Sequence, residues 1–414
     1  MNKVRIGVLG GFRGASMIKY ARVAENAELV AICDKLPEVL EKQRALCGDN
    51  VAYYDNFEDF IKHDMDAVVL ANYANEHAYF AIRCMKAGKH VFSEVLPVQT
   101  MKEAVELLEA VEETGMVYAY GENYCYMPGP YEMKRLYREG KIGEIEYAEG
   151  EYIHNCESIW HKLTYGEREH WRNHMYSTFY CTHSLGPIVH ITGLRPVKVT
   201  GFEGTRNERN MRSGCVSGQY GMEIVELENG AIAKSVHGGL YRDCTWYSMY
   251  GSKGRMETVR YDTDVPQMVK RMFVNADSYV GEYGKIDIQD YIPVRDMDEV
   301  AKDFGHGNSD FYTMYNFVRK IQGYADADTI DVYEALDMFL PGLWAYRSIL
   351  AGNIPMEIPN LRDKSEREKW RNDTFCTDKN VAGDMLAPAF SKGDPDIPDE
   401  VYENVRKKWE NECK

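Results

Sequence analysis

No apolar run in this 414-residue chain approaches the roughly 20 residues that span a bilayer, and no two cysteines form a C-x-x-C pair. The first absence excludes a membrane-spanning helix. The second leaves ten cysteines scattered singly, with no secretory leader before the apolar run at Val4, and so fits a reducing cytoplasm. Basic charge is also short: 49 Lys and Arg against 65 Asp and Glu leave a net charge of −16, which repels nucleic acid and anionic membrane surfaces. No H-E-x-x-H spacing organises His154, His161, His170 and His174, so no metal is expected. There is no internal repeat and no low-complexity segment. The length suits two domains with a tail, acting on a small neutral or locally compensated molecule.

What is present begins at the first strand. A β-branched apolar run from Val4 to Leu9 enters the cluster Gly10-Gly11-Phe12-Arg13-Gly14 and then a helical pattern from Ser16 to Ala24. That order lets a glycine turn bring backbone N–H groups against a pyrophosphate at a helix N-terminus. The next apolar run, Glu28 to Cys33, ends in Asp34, about 20 residues past the glycines, where a carboxylate can accept from the ribose diol of NAD. Phe12 occupies the place of the second glycine in G-x-G-x-x-G, so a plain tight turn is the structural alternative. Arg13 is suited to lie along the pyrophosphate or to stack on adenine.

From the N-terminus to about residue 124 the pattern alternates short strands with amphipathic helices, which predicts an α/β fold with a doubly wound parallel sheet of Rossmann type. Asp66 to Ala71 reads as a buried strand, followed by a loop from Asn72 to His77 that faces the dinucleotide crevice. His90 to Ser93 and Met116 to Tyr120 are further strands, and Met101 to Thr114 is a helix. Residues 125–355 predict an α+β domain on one large, mainly antiparallel sheet, a meander with a hairpin at Asn229-Gly230, carrying the substrate and an oligomerisation face. Residues 356–414 read as a charged, turn-rich C-terminal extension.

Glu94-Val95, with Pro97 after it, follows the strand expected to end over the nicotinamide. Here the chain resembles the glucose-fructose oxidoreductase, inositol dehydrogenase and MocA (Gfo/Idh/MocA) family, in which this strand ends in Glu-Lys-Pro; Val95 and Leu96 stand where the lysine would be. It is more similar to that family's NAD-dependent glycosidase branch, exemplified by α-N-acetylgalactosaminidases. Shared are Glu94-Val95, Glu122-Asn123-Tyr124-Cys125-Tyr126, Glu149-Gly150-Glu151-Tyr152-Ile153-His154, Trp171-Arg172 and Tyr180-Cys181-Thr182-His183-Ser184-Leu185-Gly186-Pro187. Beyond Gly193, Gly251 to Gly254 and Gly305 to Asp310 are also similar. The resemblance implies NAD contacts from Phe12, Arg13, Asp34, Asn75, His77, Glu94, Val95 and Asn123, joined by Gly10, Gly11, Gly14 and Asn72 from the crevice loops. It implies a sugar contacted by Tyr152, Arg172, Tyr180 and His183. For His306 and Asp310, which open a helix after glycines, capping is the structural reading and substrate contact the functional one.

Read on their own terms, Tyr180 and His183 share a face if both lie on the first turn of a helix, so a phenol and an imidazole can serve one ligand as a base. A packed aromatic beside a capped histidine is the structural alternative. Combined with the resemblance, they predict oxidation of a sugar ring hydroxyl, elimination of the anomeric substituent, hydration and re-reduction. The alternatives are a simple NAD-dependent sugar, glycoside or inositol dehydrogenase, and a non-catalytic NAD-binding sensor. The expected partner is a small carbohydrate or glycoside, with self-association through the C-terminal sheet and no nucleic acid or membrane.

Overall fold

A computed structural model describes residues 3–262, 269–277 and 286–413. The chain forms two compact units, and neither is one continuous stretch of sequence. The first comprises Met1–Tyr126, Asp296–Leu336 and Leu361–Asp373; the second comprises Met127–Arg295, Asp337–Asn360 and Thr374–Lys414.

The first unit is built on six parallel strands: β1 (Val4–Leu9), β2 (Ala27–Cys33), β3 (Ala52–Tyr54), β4 (Ala67–Leu70), β5 (His90–Ser93) and β6 (Tyr118–Tyr120). Their order is β3-β2-β1-β4-β5-β6, so the chain reverses direction across the sheet between β1 and β4. In an open sheet of this kind ligands bind at the carboxyl ends of the strands at that reversal. All four residues of β4 are buried and apolar, as a strand covered on both faces requires. Helix Met101–Thr114 forms where its spacing predicts, opened by Thr100, whose hydroxyl accepts from the Glu103 N–H at 3.1 Å. Helix Ser309–Ile321 joins this unit from far along the chain and packs Phe311 against Tyr20, with ring centroids 5.5 Å apart.

The second unit carries nine strands: β7 (Ile145–Ile153), β8 (Pro196–Glu203), β9 (Tyr220–Leu227), β10 (Ile232–Gly238), β11 (Cys244–Gly251), β12 (Gly254–Thr258), β13 (Met272–Asp277), β14 (Ile286–Tyr291) and β15 (Met356–Glu357). Their order is β14-β13-β12-β11-β7-β10-β9-β8-β15. The hairpin at Asn229-Gly230 forms, with Gly230 at φ +87°. The predicted meander needs correcting at one place. β7 inserts between β10 and β11, parallel to β10 and antiparallel to β11, because an early strand completes its hydrogen bonds with partners made much later.

Helix Thr182–Thr192 lies on β7, and Gly150 lets it approach. A side-chain carbon added at Gly150 would sit 1.9 Å from the Ser184 carbonyl oxygen. No helix among the described residues is long and apolar enough to cross a membrane.

Candidate active site

In the first unit the glycine turn supplies shape. Gly10 adopts φ +96°, and a side-chain carbon there would lie 2.4 Å from the Ala71 carbonyl. The three glycine N–H groups donate within the protein: Gly10 to Cys33 O at 2.8 Å, Gly11 to Asp34 at 2.7 Å and Gly14 to Gly10 O at 3.0 Å. These three amides are therefore satisfied inside the protein and shape the turn. What remains for an anion is the start of helix Ala15–Val23, with Phe12 exposed at the rim.

Asp34 is buried, and burial raises its pKa against two backbone hydrogen bonds. Its oxygens accept from Gly11 N at 2.7 Å and Leu36 N at 2.9 Å, which tie the turn to the end of β2. Each carboxylate oxygen keeps a second lone pair, enough for a ribose diol. Lys35, the next residue, lies over the Tyr73 ring at 4.1 Å.

On the other side of the reversal, charged groups gather. Arg13 pairs with Glu94 at 2.7 Å and approaches Asp310 at 3.6 Å. Asp310 is fully buried; it accepts from Asn123 Nδ2 at 2.9 Å and faces His306 Nδ1 at 3.0 Å. Burial pushes Glu94 up to about 7, opposed by Arg13 and reinforced by Asp310. Burial would also raise Asp310, but Arg13 and the bonds from His306 and Asn123 outweigh it and hold this carboxyl well below the usual range. His306 therefore lies in the first unit, beside Asp310. The helix start at Asn308 has no side-chain cap, so the capping reading of His306 is not what the structure shows.

The rest of the expected cofactor set lines the same strand ends. His77 is buried with Nδ1 2.9 Å from Leu96 O, the Asn75 carbonyl accepts from Gln99 at 3.0 Å, and Val95 is buried before a cis Val95–Leu96 peptide. The side-chain oxygens of Asn72 and Asn123 are buried without a hydrogen-bond partner among the described residues. Buried acceptors in that condition are costly unless a ligand completes them. Two such oxygens, a carboxylate at the end of β2 and a helix N-terminus at the reversal fit a dinucleotide.

In the second unit the four residues expected to face a sugar come together. The Tyr180 and His183 rings are 5.1 Å apart, edge to face, and the Tyr152 ring stands 4.6 Å from His183 and 6.4 Å from Tyr180. Trp171 stacks on Tyr180 at 6.5 Å, and the Arg172 guanidinium lies over Trp171 at 4.4 Å and Tyr180 at 5.5 Å. Tyr180 sits in a turn ahead of the helix, two residues before its first residue Thr182, and so is not on the helical turn that the spacing suggested. The pair is adjacent all the same. Tyr247 donates to the His183 carbonyl, and the Ser184 and Ser235 hydroxyls bond at 2.8 Å, fixing the backbone just after His183's Cα.

The sequence offers Asp310 only beside His306, as a helix cap or a substrate contact, and not as a buried acid of the cofactor side. The signal was Gly305-His306-Gly307-Asn308-Ser309-Asp310, whose left-handed backbone at His306 and Asn308 turns the acid into the unit's interior. Among the described residues no cluster of three or more His, Cys, Asp or Glu is arranged to hold a metal ion.

Residues 3–122 match the sequence profile of the Gfo/Idh/MocA family, described as an oxidoreductase family with an NAD-binding Rossmann fold. The match covers the six-stranded part of the first unit. Over its length the chain is similar to a glycosyl hydrolase family 109 protein of Solibacter usitatus, 26% identical and covering 89% of each chain. Solved structures share the fold. An oxidoreductase from Agrobacterium radiobacter in complex with NAD+, L-tartaric acid and magnesium superposes with a TM-score of 0.69 at 14% identity, over 86% of this chain and 98% of that one. Aldose-aldose oxidoreductase from Caulobacter crescentus complexed with glycerol gives 0.68 at 18% identity, over 86% and 100%. The chain is an enzyme of the Gfo/Idh/MocA type, and its cofactor is NAD.

Proposed function

We propose that this enzyme is a redox-assisted glycosidase. When bound, NAD takes hydride from a ring carbon and later returns it, so the sugar passes through a ketone whose acidified neighbouring C–H permits loss of the anomeric substituent and addition of water. Tyr180 and His183 handle the hydroxyl proton. The two rings are in edge contact, and either the phenol or the imidazole can be the base. Arg172 and Tyr152 orient the sugar hydroxyls, and orientation supplies much of such a barrier reduction.

The observation that carries this reading is the gathering of Tyr152, Arg172, Tyr180 and His183 into one ring cluster. The name of the Solibacter relative supports a glycoside over a free polyol. The ten cysteines stand singly in the sequence with no C-x-x-C pair, which supports a reducing, cytoplasmic setting, and the outer face of the nine-stranded sheet is the surface assigned to self-association.

Aryl glycosides incubated with the enzyme in D2O test the reading. Release of the aglycone with catalytic NAD, deuterium at the carbon next to the oxidised one and no stoichiometric NADH is the expected result. Stoichiometric NADH without aglycone release would instead establish the simple dehydrogenase.

A further inference from the structure

We propose that the carboxyl cluster of Glu94, Glu122 and Asp310 makes the first unit bind the oxidised, positively charged nicotinamide ring in preference to the neutral reduced ring. The inference rests on NAD binding by residues 3–122 and not on the sugar chemistry above.

The sheet order decides where the cluster lies. Asp34 ends β2, on one side of the reversal between β1 and β4, and an acid in that place takes the adenosine ribose. The nicotinamide end then falls on the β4-β5-β6 side. Glu94 follows β5, Glu122 follows β6, and Asp310 reaches the same place from helix Ser309–Ile321, which packs against β5 through Phe317 on Phe92, with ring centroids 5.7 Å apart. All three acids are buried. The charged groups that act on Glu94 are Arg13 from the glycine turn, Asp310 and His306 from the start of that helix, and Glu122.

A second observation points to a ligand here. Asn123 is buried among these groups; its Nδ2 is fixed on Asp310, and its Oδ1 has no hydrogen-bond partner among the described residues. It is an acceptor suited to an amide N–H, which the nicotinamide carboxamide carries in both redox forms. The carboxylates discriminate between those forms, because only the oxidised ring is a cation. A buried carboxylate a few ångströms from a unit charge is worth on the order of ten-fold or more in affinity, even at a moderate effective dielectric.

The coupling is reciprocal. A cation beside Glu94 favours its ionised form, so NAD+ binding expels a proton that NADH binding leaves in place. The preference for NAD+ therefore grows with pH across the range in which Glu94, at about 7, ionises.

NADH fluorescence in competition with NAD+, at about pH 6 and about pH 8, measures the ratio of the two dissociation constants. The wild type should hold NAD+ on the order of ten-fold more tightly, with a larger ratio at the higher pH. Glu94→Gln, which keeps the shape, should cut the ratio several-fold and flatten its pH dependence. Equal or tighter NADH binding by the wild type overturns the proposal. So does a wild-type ratio that does not change with pH, which decides the matter even where Glu94→Gln fails to fold. An unaltered ratio in a Glu94→Gln protein that still binds both dinucleotides overturns it as well.

Discussion

The hydroxyls of Ser184 and Ser235 lie 2.8 Å apart, so the helix that carries His183 is pinned to β10 at the residue next to the imidazole. Gly150, in register with Ser235, leaves the space for that contact. In Gly150→Ala the new carbon meets a backbone carbonyl, which cannot rotate away as a side chain would. The helix start must lift. The expected cost is about 1–3 kcal/mol of stability, with a fall in kcat of roughly ten-fold or more as His183 shifts. Thermal unfolding and steady-state kinetics check both, and a Gly150→Ala enzyme with wild-type kcat would show that this anchoring is not needed for function.

Tyr180→Phe keeps the stack on Trp171 and the contact with Tyr152 while removing the phenolic oxygen. The expected loss is about 10²-fold or more in kcat/KM, with NAD affinity unchanged. His183→Gln should lose a similar amount. If the two rings work as one proton-transferring unit, the double variant is little worse than the poorer single one. Multiplication of the two losses would mean that the rings act in separate steps.

Burial pulls the His77 imidazole down to about 4, against hydrogen bonds to the carbonyls of Leu96, Asn72 and Glu94. The folded state then binds fewer protons at this ring than the unfolded chain between about pH 6.5 and 4, so stability is lost as pH falls through that window. The whole shift corresponds to roughly 3 kcal/mol. Denaturant unfolding of the cofactor-free protein at several pH values, compared with His77→Gln, measures it. The variant should lose less stability on acidification, and parallel curves would remove His77 from the account.

Much of this molecule was readable from local pattern. The strands β1 and β4 and helix Met101–Thr114 follow from apolar spacing and a threonine cap, because each is decided by its own residues. The place of β7 between β10 and β11 is decided by pairing across about 85 to 105 residues, and no local signal records it. The same holds for helix Ser309–Ile321, whose amphipathic pattern shows that it is buried but not against what. At the site, the spacing of Tyr180 and His183 suggested a pair, yet Tyr152 and Arg172 reach it from other elements and were legible only through resemblance. Asp310 was legible with His306 as a residue opening a helix, but its burial was not, because an aspartate at a helix start looks like a surface residue. Only the left-handed turn before it carries it to the interior.

The C-terminal stretch read as a charged extension contains a docked piece. Arg367 is 2% exposed; its guanidinium grips Glu112 through two bonds of 2.8 and 2.6 Å, and Nε donates to Leu361 O at 2.7 Å. Arg367 in turn holds the Glu112 carboxyl down at about 2. Arg371 repeats the arrangement on Glu109 one turn earlier along helix Met101–Thr114, at 2.8 and 2.7 Å, but is half-exposed. Burial sets the two apart. Removing the acid from the buried pair strands a guanidinium that cannot lose its charge, which typically costs about 3–5 kcal/mol, whereas an exposed pair is worth about 1 kcal/mol or less. Glu112→Ala should therefore lower the stability of the first unit several-fold more than Glu109→Ala, as read by chemical denaturation at neutral pH. Arg367→Met, which removes the charge and keeps the bulk, should recover part of the loss in the Glu112→Ala background. Equal effects at positions 109 and 112 would mean that the segment is held by its backbone contacts, such as Lys102 N to Asp373 O at 2.9 Å, and not by the buried charge pair.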